Sequence, residues 1–154
     1  MSYEKSKLVL NQAVADLSAM SALIHQIHWY MRGEDFLHLH PQMDEYRDAI
    51  EGQLDEISER LITLGGAPWS TLTEFSENSK IKLESGLYGV ATTKRFEELV
   101  LALRYLSDLY KEGISTADGE DDYVTSDIFH AGLAWLEKTI WMLQAELGKE
   151  PEIA

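Results

Sequence analysis

The segment from residue 28 to residue 59 decides the fold, and it reads HWYMRGEDFLHLHPQMDEYRDAIEGQLDEISE. Gly33 separates the end of one stretch with helical periodicity from the start of another. We predict that the second stretch forms one helix from about residue 36 to residue 64, with Asp35 as its N-cap and Gly65 and Gly66 as its stop. Pro41 falls within about the first turn and a half, where the missing backbone donor matters little. The segment therefore predicts one long helix despite its proline.

Apolar residues recur at helical spacing on both sides of this segment, and no strand-like alternation interrupts them. The repeating residues are Leu10, Val14, Leu17, Ile24 and Ile27 in the first helix, Phe96, Leu99, Leu103, Leu106 and Tyr110 in the third, and Phe129, Leu133, Leu136, Ile140, Leu143 and Leu147 in the fourth. We expect the acidic stretch 118–122 to break the third helix. Gly148, followed by Pro151, is the expected stop of the fourth.

The connection between the second and third long helices is long and rich in Ser, Thr and Gly. Within it we predict a short helix over residues 72–78, capped by Ser70 or Thr71. A long connection permits a crossover, and ferritin-like bundles contain one such crossover. The sequence therefore predicts an all-α, ferritin-like four-helix bundle with a short extra helix between helices two and three. Residues 1–154 are expected to form a single domain.

The composition limits the classes of partner. Lys plus Arg is 13 and Asp plus Glu is 27, so the net charge is −14. This balance disfavours non-specific binding to nucleic acid or an anionic membrane, and it fits either a solvated acidic surface or an acidic cavity that attracts cations. The absence of cysteine excludes disulfides and thiolate metal sites. No membrane span or leader peptide is expected, which favours the cytoplasm.

Two pairs of potential metal ligands lie on the predicted second helix. His40 and Asp44 are spaced i, i+4, and so are Asp55 and Glu59. Eleven residues separate Asp44 from Asp55, which keeps both pairs on one stripe but about 16 Å apart. One metal ion cannot bridge that distance. Either each pair has other partners within the chain, or the helix packs antiparallel against its own copy around a two-fold axis near Ile50.

The first helix adds His28 to these candidates, which gives two histidines and three carboxylates. Imidazole with carboxylate suits Fe(II), Mn(II) or Zn(II). The Glu-x-x-His motif of other ferritin-like proteins is absent, so a di-iron site within one chain is not expected. His38 and His130 are interpreted as non-ligands. The alternative is that the acidic pairs are ordinary surface charges.

Three segments together resemble the Dps family, and especially its peroxide-resistance branch. They are His25-Gln-Ile-His28-Trp-Tyr-Met-Arg-Gly33, His40-Pro-Gln-Met-Asp44 and Leu54-Asp-Glu-Ile-Ser-Glu-Arg-Leu61. The resemblance implies a ferroxidase that prefers hydrogen peroxide and stores ferric iron in a hollow homododecamer, protecting the cell from peroxide. It implies two iron ions per site, with zinc as a possible competitor. His28, His40 and Asp44 would come from one subunit, and Asp55 and Glu59 from its two-fold mate.

The resemblance also assigns a role to the acidic region between the last two helices. It implies that Asp118, Asp122 and Asp127 line three-fold pores through which iron enters, where their negative potential would attract cations. The alternative is a solvated loop and helix start, because aspartate is favourable near a helix N-terminus anyway.

Other features leave alternatives open. Trp29 and Tyr30 are either electron donors that quench stray oxidants or packing residues at a subunit interface. His25 is either a residue that supports the metal ligands or an interface histidine. Family members that bind DNA generally do so with a lysine-rich tail, whereas residues 1–10 hold only two lysines and the C-terminus is net negative. DNA binding is therefore not expected, and a DNA-protecting structural protein is the alternative function.

Overall fold

The computed structural model describes residues 2–154, and these residues contain five helices and no strand. The helices are α1 (Glu4–Tyr30), α2 (Phe36–Thr63), α3 (Leu72–Asn78), α4 (Thr92–Gly119) and α5 (Tyr123–Glu146). The prediction of four long helices and one short helix is confirmed. α2 passes through Pro41 without interruption, as expected.

The long connection between α2 and α4 follows from the directions of the helices. Glu120, just beyond α4, accepts hydrogen bonds from Lys5 N and Ser6 N at the start of α1, so α4 runs antiparallel to α1. α2 also runs antiparallel to α1, because only residues 31–35 join them. α2 and α4 are therefore parallel. The chain has to return along the bundle, about 40 Å for a helix of 28 residues, before α4 can begin.

Asp16, in the middle of α1, attaches this returning segment to the bundle. Its fully buried carboxylate accepts hydrogen bonds from Ser79 Oγ at 2.9 Å and Lys80 N at 2.8 Å. Gln12 Nε2 at 3.0 Å and Tyr105 OH at 2.5 Å donate to its other oxygen. Burial and the bond to Asp16 raise the pKa of Tyr105, so the phenol keeps its proton and donates. One carboxylate thus joins α1, α4 and the connection.

Three details at the helix ends test the sequence-based expectations. Asp35 occupies the N-cap position of α2, but its side chain accepts no capping hydrogen bond and its φ is 61°, so the expected side-chain cap is wrong. Thr71, and not Ser70, caps α3, because Thr71 and Glu74 form a reciprocal capping box. α4 ends at Gly119, inside the acidic stretch 118–122, so the expected break is confirmed.

α1 is more apolar than the sequence interpretation allowed. By length and composition it meets the criterion for a helix that could cross a membrane, contrary to the expectation that no segment approaches one. However, 56% of the residues in the qualifying window are buried inside the protein. They pack against α2, α3 and α4. The core helix of a bundle needs this composition because it is covered on several sides.

Candidate metal centre

Two histidines from different helices hold each other in place beside the corner between α1 and α2. His28 Nδ1 lies 2.7 Å from the carbonyl oxygen of His40, and His40 Nδ1 lies 2.8 Å from the carbonyl oxygen of His28. A carbonyl oxygen only accepts, so each Nδ1 carries a proton. The rings stack with centroids 3.6 Å apart and an interplanar angle of 8°. In the neutral form, both rings therefore offer Nε2 as the metal-binding atom.

Asp44 and Phe36, which flank His40 by one helical turn on either side, complete this cluster. Asp44 Oδ1 lies 3.5 Å from His28 Nε2, and its side chain is 54% exposed. The ring of Phe36 stacks on His40 with centroids 4.7 Å apart. The chain thus brings His28, His40 and Asp44 into one region. Within residues 2–154, however, no three His, Asp or Glu side chains converge closely enough to hold a metal ion.

The other two candidate ligands lie about three turns farther along the same helix. Asp55 and Glu59 are exposed, and their carboxylates form no hydrogen bond or ion pair with any residue in the described part of the chain. Between the two pairs the surface of α2 is open at Gly52, because a Cβ added there would meet no atom within 4 Å. The first alternative, partners for Asp55 and Glu59 within the chain, therefore has no support. The two pairs lie apart along one open face of α2.

The aromatic neighbours of the histidine pair have distinct environments. The ring centroids of His25 and Trp29 lie 3.7 Å apart with an interplanar angle of 32°, and Trp29 is 62% exposed. Burial lowers the pKa of His25, and the positive charge of Arg47 adds to this effect, while Asp44 opposes it. Tyr30 instead packs against Gly86, where an added Cβ would collide with its ring. The proposed redox roles of Trp29 and Tyr30 stay predictions.

The three aspartates assigned to the pore differ in their surroundings. Asp118 and Asp127 are exposed. Asp122 is 1% exposed; Arg60 Nη2 lies 2.6 Å from it, and Thr125 N donates to it at 3.2 Å. Burial disfavours its charge, but the hydrogen bonds from Thr125 and Arg60 outweigh burial and lower the pKa of Asp122. Within the chain Asp122 joins α2 to α5, and the pore assignment of all three stays a prediction.

Sequence reasoning missed two contributors to these sites. Phe36 precedes His40 by four residues, and this spacing could have placed its ring on the same face. Arg60 follows a predicted ligand directly, but its partner Asp122 is 62 residues away. No sequence signal marks the main-chain carbonyl groups that orient the histidines.

Comparisons with known proteins cover almost the whole chain. Residues 8–153 match the family described as a ferritin-like domain. A "DNA protection during starvation protein" of Streptococcus suis (strain P1/7) is 56% identical over 148 residues, which are 96% of this chain and 86% of that protein. The X-ray structure of Dps from Listeria monocytogenes superposes with a TM-score of 0.93 at 43% identity and covers 95% of each chain. Dps from Listeria innocua soaked with zinc has a TM-score of 0.91 at 44% identity and covers 95% of this chain and 98% of that chain.

Proposed function

The chain belongs to the ferritin-like Dps family, and from this premise we propose that it oxidises iron(II) and stores the ferric product in a closed shell of twelve copies. Hydrogen peroxide is the proposed oxidant in preference to oxygen. The activity would protect the cytoplasm from peroxide, because iron(II) and peroxide would be consumed together.

The observation that carries this proposal is that the candidate ligands form two groups at different positions along α2, with His28 of α1 in the first group. In the half with His28, His40 and Asp44 both imidazoles hydrogen-bond through Nδ1, which leaves Nε2 to a metal ion, and in the half with Asp55 and Glu59 the carboxylates have no partner among residues 2–154. An antiparallel copy of α2, related by a two-fold axis near Ile50, would bring the first half of one chain to the second half of the other. Each pair of chains would then form two complete sites.

The proposed ligand set suits the oxidation of iron. Asp55 and Glu59 of one subunit with His28 of its mate form the tighter site, and His40 with Asp44 contributes to a weaker second site. Two iron(II) ions held together each give one electron to a single peroxide. With these two electrons and two protons from water, the O–O bond would break to give two water molecules, so no hydroxyl radical would be released. Carboxylate oxygens stabilise the Fe(III) product because hard anionic ligands neutralise its extra charge.

Iron is the substrate and cargo in this proposal, and zinc is a competitor for the same ligands. The Listeria innocua Dps structure soaked with zinc is consistent with metal binding in a similar protein. Zn(II) accepts imidazole and carboxylate ligands as iron(II) does but undergoes no oxidation. Zinc bound in the proposed site would therefore inhibit the reaction.

The assembly has a direct test. In solution we expect a particle of about twelve chains of 17.5 kDa each, because a site divided between subunits needs a two-fold partner and a pore needs a three-fold axis. Multi-angle light scattering of the iron-free protein measures the mass. A stable monomer that oxidises iron(II) at the rate of the purified protein would contradict the divided site.

The pore assignment predicts a rate effect. Replacing Asp118 and Asp127 with asparagine is expected to slow iron uptake several-fold at low ionic strength, and the difference should shrink in high salt as the potential is screened. Asp122 is left intact, because asparagine there would weaken its buried contact with Arg60. Stopped-flow iron oxidation measures the rate, with Asp108→Asn, an exposed aspartate of α4, as control. Equal rates at low ionic strength would remove the assignment.

The name of the relatives, "DNA protection during starvation protein", makes DNA protection the second candidate function. Charge weighs against direct binding, because the net charge is −14 and residues 1–10 hold only two lysines. We expect no retardation of plain duplex DNA at neutral pH and physiological salt. A clear gel shift without added divalent cations would favour the DNA-protecting function.

A further inference from the structure

Arg95, in the first turn of α4, carries a buried positive charge that no carboxylate balances within residues 2–154. Its side chain is 4% exposed, and Nη2 donates to the carbonyl oxygen of Leu87. Its guanidinium lies over the ring of Tyr30, 5.7 Å from the centroid. Nε is shielded from solvent and has no acceptor. Because a buried ion without a counter-charge is strongly unfavourable, this position favours an anion nearby.

Arg95 also lines a cavity of about 660 Å³ enclosed by α1, α4 and the segment 81–91. Lys82 and Lys94 are the other cations of its wall, and Glu84 and Glu98 are its carboxylates. Lys94 pairs with Glu98 at 3.7 Å, and Lys82 donates to a main-chain carbonyl. The wall thus holds three cations and two carboxylates, whereas the whole chain has twice as many acidic as basic residues.

The N-terminus of α4 opens beside the same cavity. Its N-cap residue, Ala91, has no side chain that could cap the helix, and Ala91 lines the cavity together with Lys94. The amides of Thr92, Thr93 and Lys94 find no acceptor among the described residues. Lys94 lines this cavity, whereas Thr92 and Thr93 line a neighbouring cavity with Glu34 and Asp35. Free amides at the positive end of a 28-residue helix attract anions. The unpaired guanidinium and the uncapped helix end therefore favour the same kind of ligand.

We propose that this cavity binds a small oxyanion of the phosphate type, held by Arg95 and the first turn of α4. The anion would accept hydrogen bonds from a free N–H of the guanidinium and from the amide of Lys94, which lines the cavity. It would link α4 to the segment 81–91. The concave shape of the cavity admits a small anion but not a DNA duplex. The two carboxylates in its wall would also repel a polyanion. None of the five proposed metal ligands lines the cavity, so the site is independent of the proposed ferroxidase centre.

The test uses the assembled, iron-free protein and inorganic phosphate at constant ionic strength, with chloride as the balancing anion. Isothermal titration calorimetry should show one phosphate bound per chain. Phosphate at roughly ten times its Kd should raise the Tm by about 3–6 °C. Arg95→Met is expected to weaken binding about 10- to 100-fold and to abolish the Tm rise. Without phosphate the same variant should melt at or above the Tm of the unchanged protein, because an unpaired buried charge has been removed.

Two further variants separate binding from packing. Ala91→Asp supplies a carboxylate cap to α4 and should raise the Tm while removing the phosphate effect, because the new side chain occupies the anion position. Lys111→Met removes an exposed cation from the same helix and should leave phosphate binding unchanged. If Arg95→Met does not fold, Ala91→Asp still decides the question.

Three results would overturn the proposal. The first is no phosphate binding by the unchanged protein. The second is an equal loss of stability in Arg95→Met with and without phosphate, which would make Arg95 a packing residue only. The third is Arg95-dependent binding of duplex DNA without binding of inorganic phosphate, which would assign the surface to a polyanion.

Discussion

Replacing Asp55 and Glu59 with alanine is expected to slow peroxide-dependent iron(II) oxidation at least about a hundredfold, because loss of a metal ligand costs more than loss of a residue that supports one. The bundle should stay folded. Both side chains are exposed and unpaired in the described part of the chain, so their removal disturbs no packing and changes stability by about 0.5 kcal/mol or less per residue. Stopped-flow absorbance after mixing with iron(II) and peroxide measures the rate, and circular dichroism reports the fold.

A matched control comes from the neighbouring stripe of the same helix. Glu45 and Glu56 are also exposed carboxylates eleven residues apart, but each lies one residue beyond a proposed ligand and so about 100° around the helix. Glu45→Ala with Glu56→Ala removes the same charge from α2 and should leave the oxidation rate within about twofold of the unchanged protein. Equal losses in the two double variants would assign the effect to general electrostatics and not to ligation.

Mixing two inactive chains tests whether the site is divided between subunits. One chain lacks His28 and His40, and the other lacks Asp55 and Glu59. In a mixed pair one site receives intact histidines and intact carboxylates, while the other site loses both. Random pairing at equal amounts should restore roughly a quarter of the sites, because half of the pairs are mixed. Mixed shells that assemble but oxidise iron(II) no faster than either parent would refute the inter-subunit site.

Asp16→Asn is expected to give the largest loss of stability of any single change considered, about 3–5 kcal/mol per chain. The asparagine NH₂ group would face donors that now bond a carboxylate oxygen, such as Gln12 Nε2 and Tyr105 OH. Near the melting temperature this corresponds to a fall of about 10 °C. Hydrogen exchange should become faster around Ser79 and Lys80 before it does in the helices, because Asp16 attaches that segment to α1.

Two comparison variants make this stability prediction specific. Tyr105→Phe removes one of the four hydrogen bonds and is expected to cost about 1–2 kcal/mol. Asp108→Asn changes an exposed aspartate of α4 and should be neutral within about 0.5 kcal/mol. If Asp16→Asn melted within 2–3 °C of the unchanged protein, that is, about 1 kcal/mol, the buried network would not be what holds the returning segment.

The features that could be predicted from sequence depend on short-range spacing. Apolar periodicity predicted the four long helices. The i, i+4 spacing placed four of the five candidate ligands on one face of α2. Gly65 and Gly148, with φ of 79° and 73°, lie where the second and fourth long helices were expected to stop. Local periodicity suffices for such features because a helix repeats every 3.6 residues, whatever it packs against.

Contacts between distant parts of the chain were decided by the tertiary structure alone. No spacing in the sequence reveals the partners of Asp16, because the donors Ser79, Lys80 and Tyr105 are 63, 64 and 89 residues away along the chain. Asp122 reads as part of an acidic loop, yet Arg60 pairs with it across the bundle. The orientation of His28 and His40 depends on carbonyl groups of a neighbouring helix, which every residue type possesses. Spacing along the chain cannot reveal such partners, because only the packing of whole helices brings them within hydrogen-bonding distance.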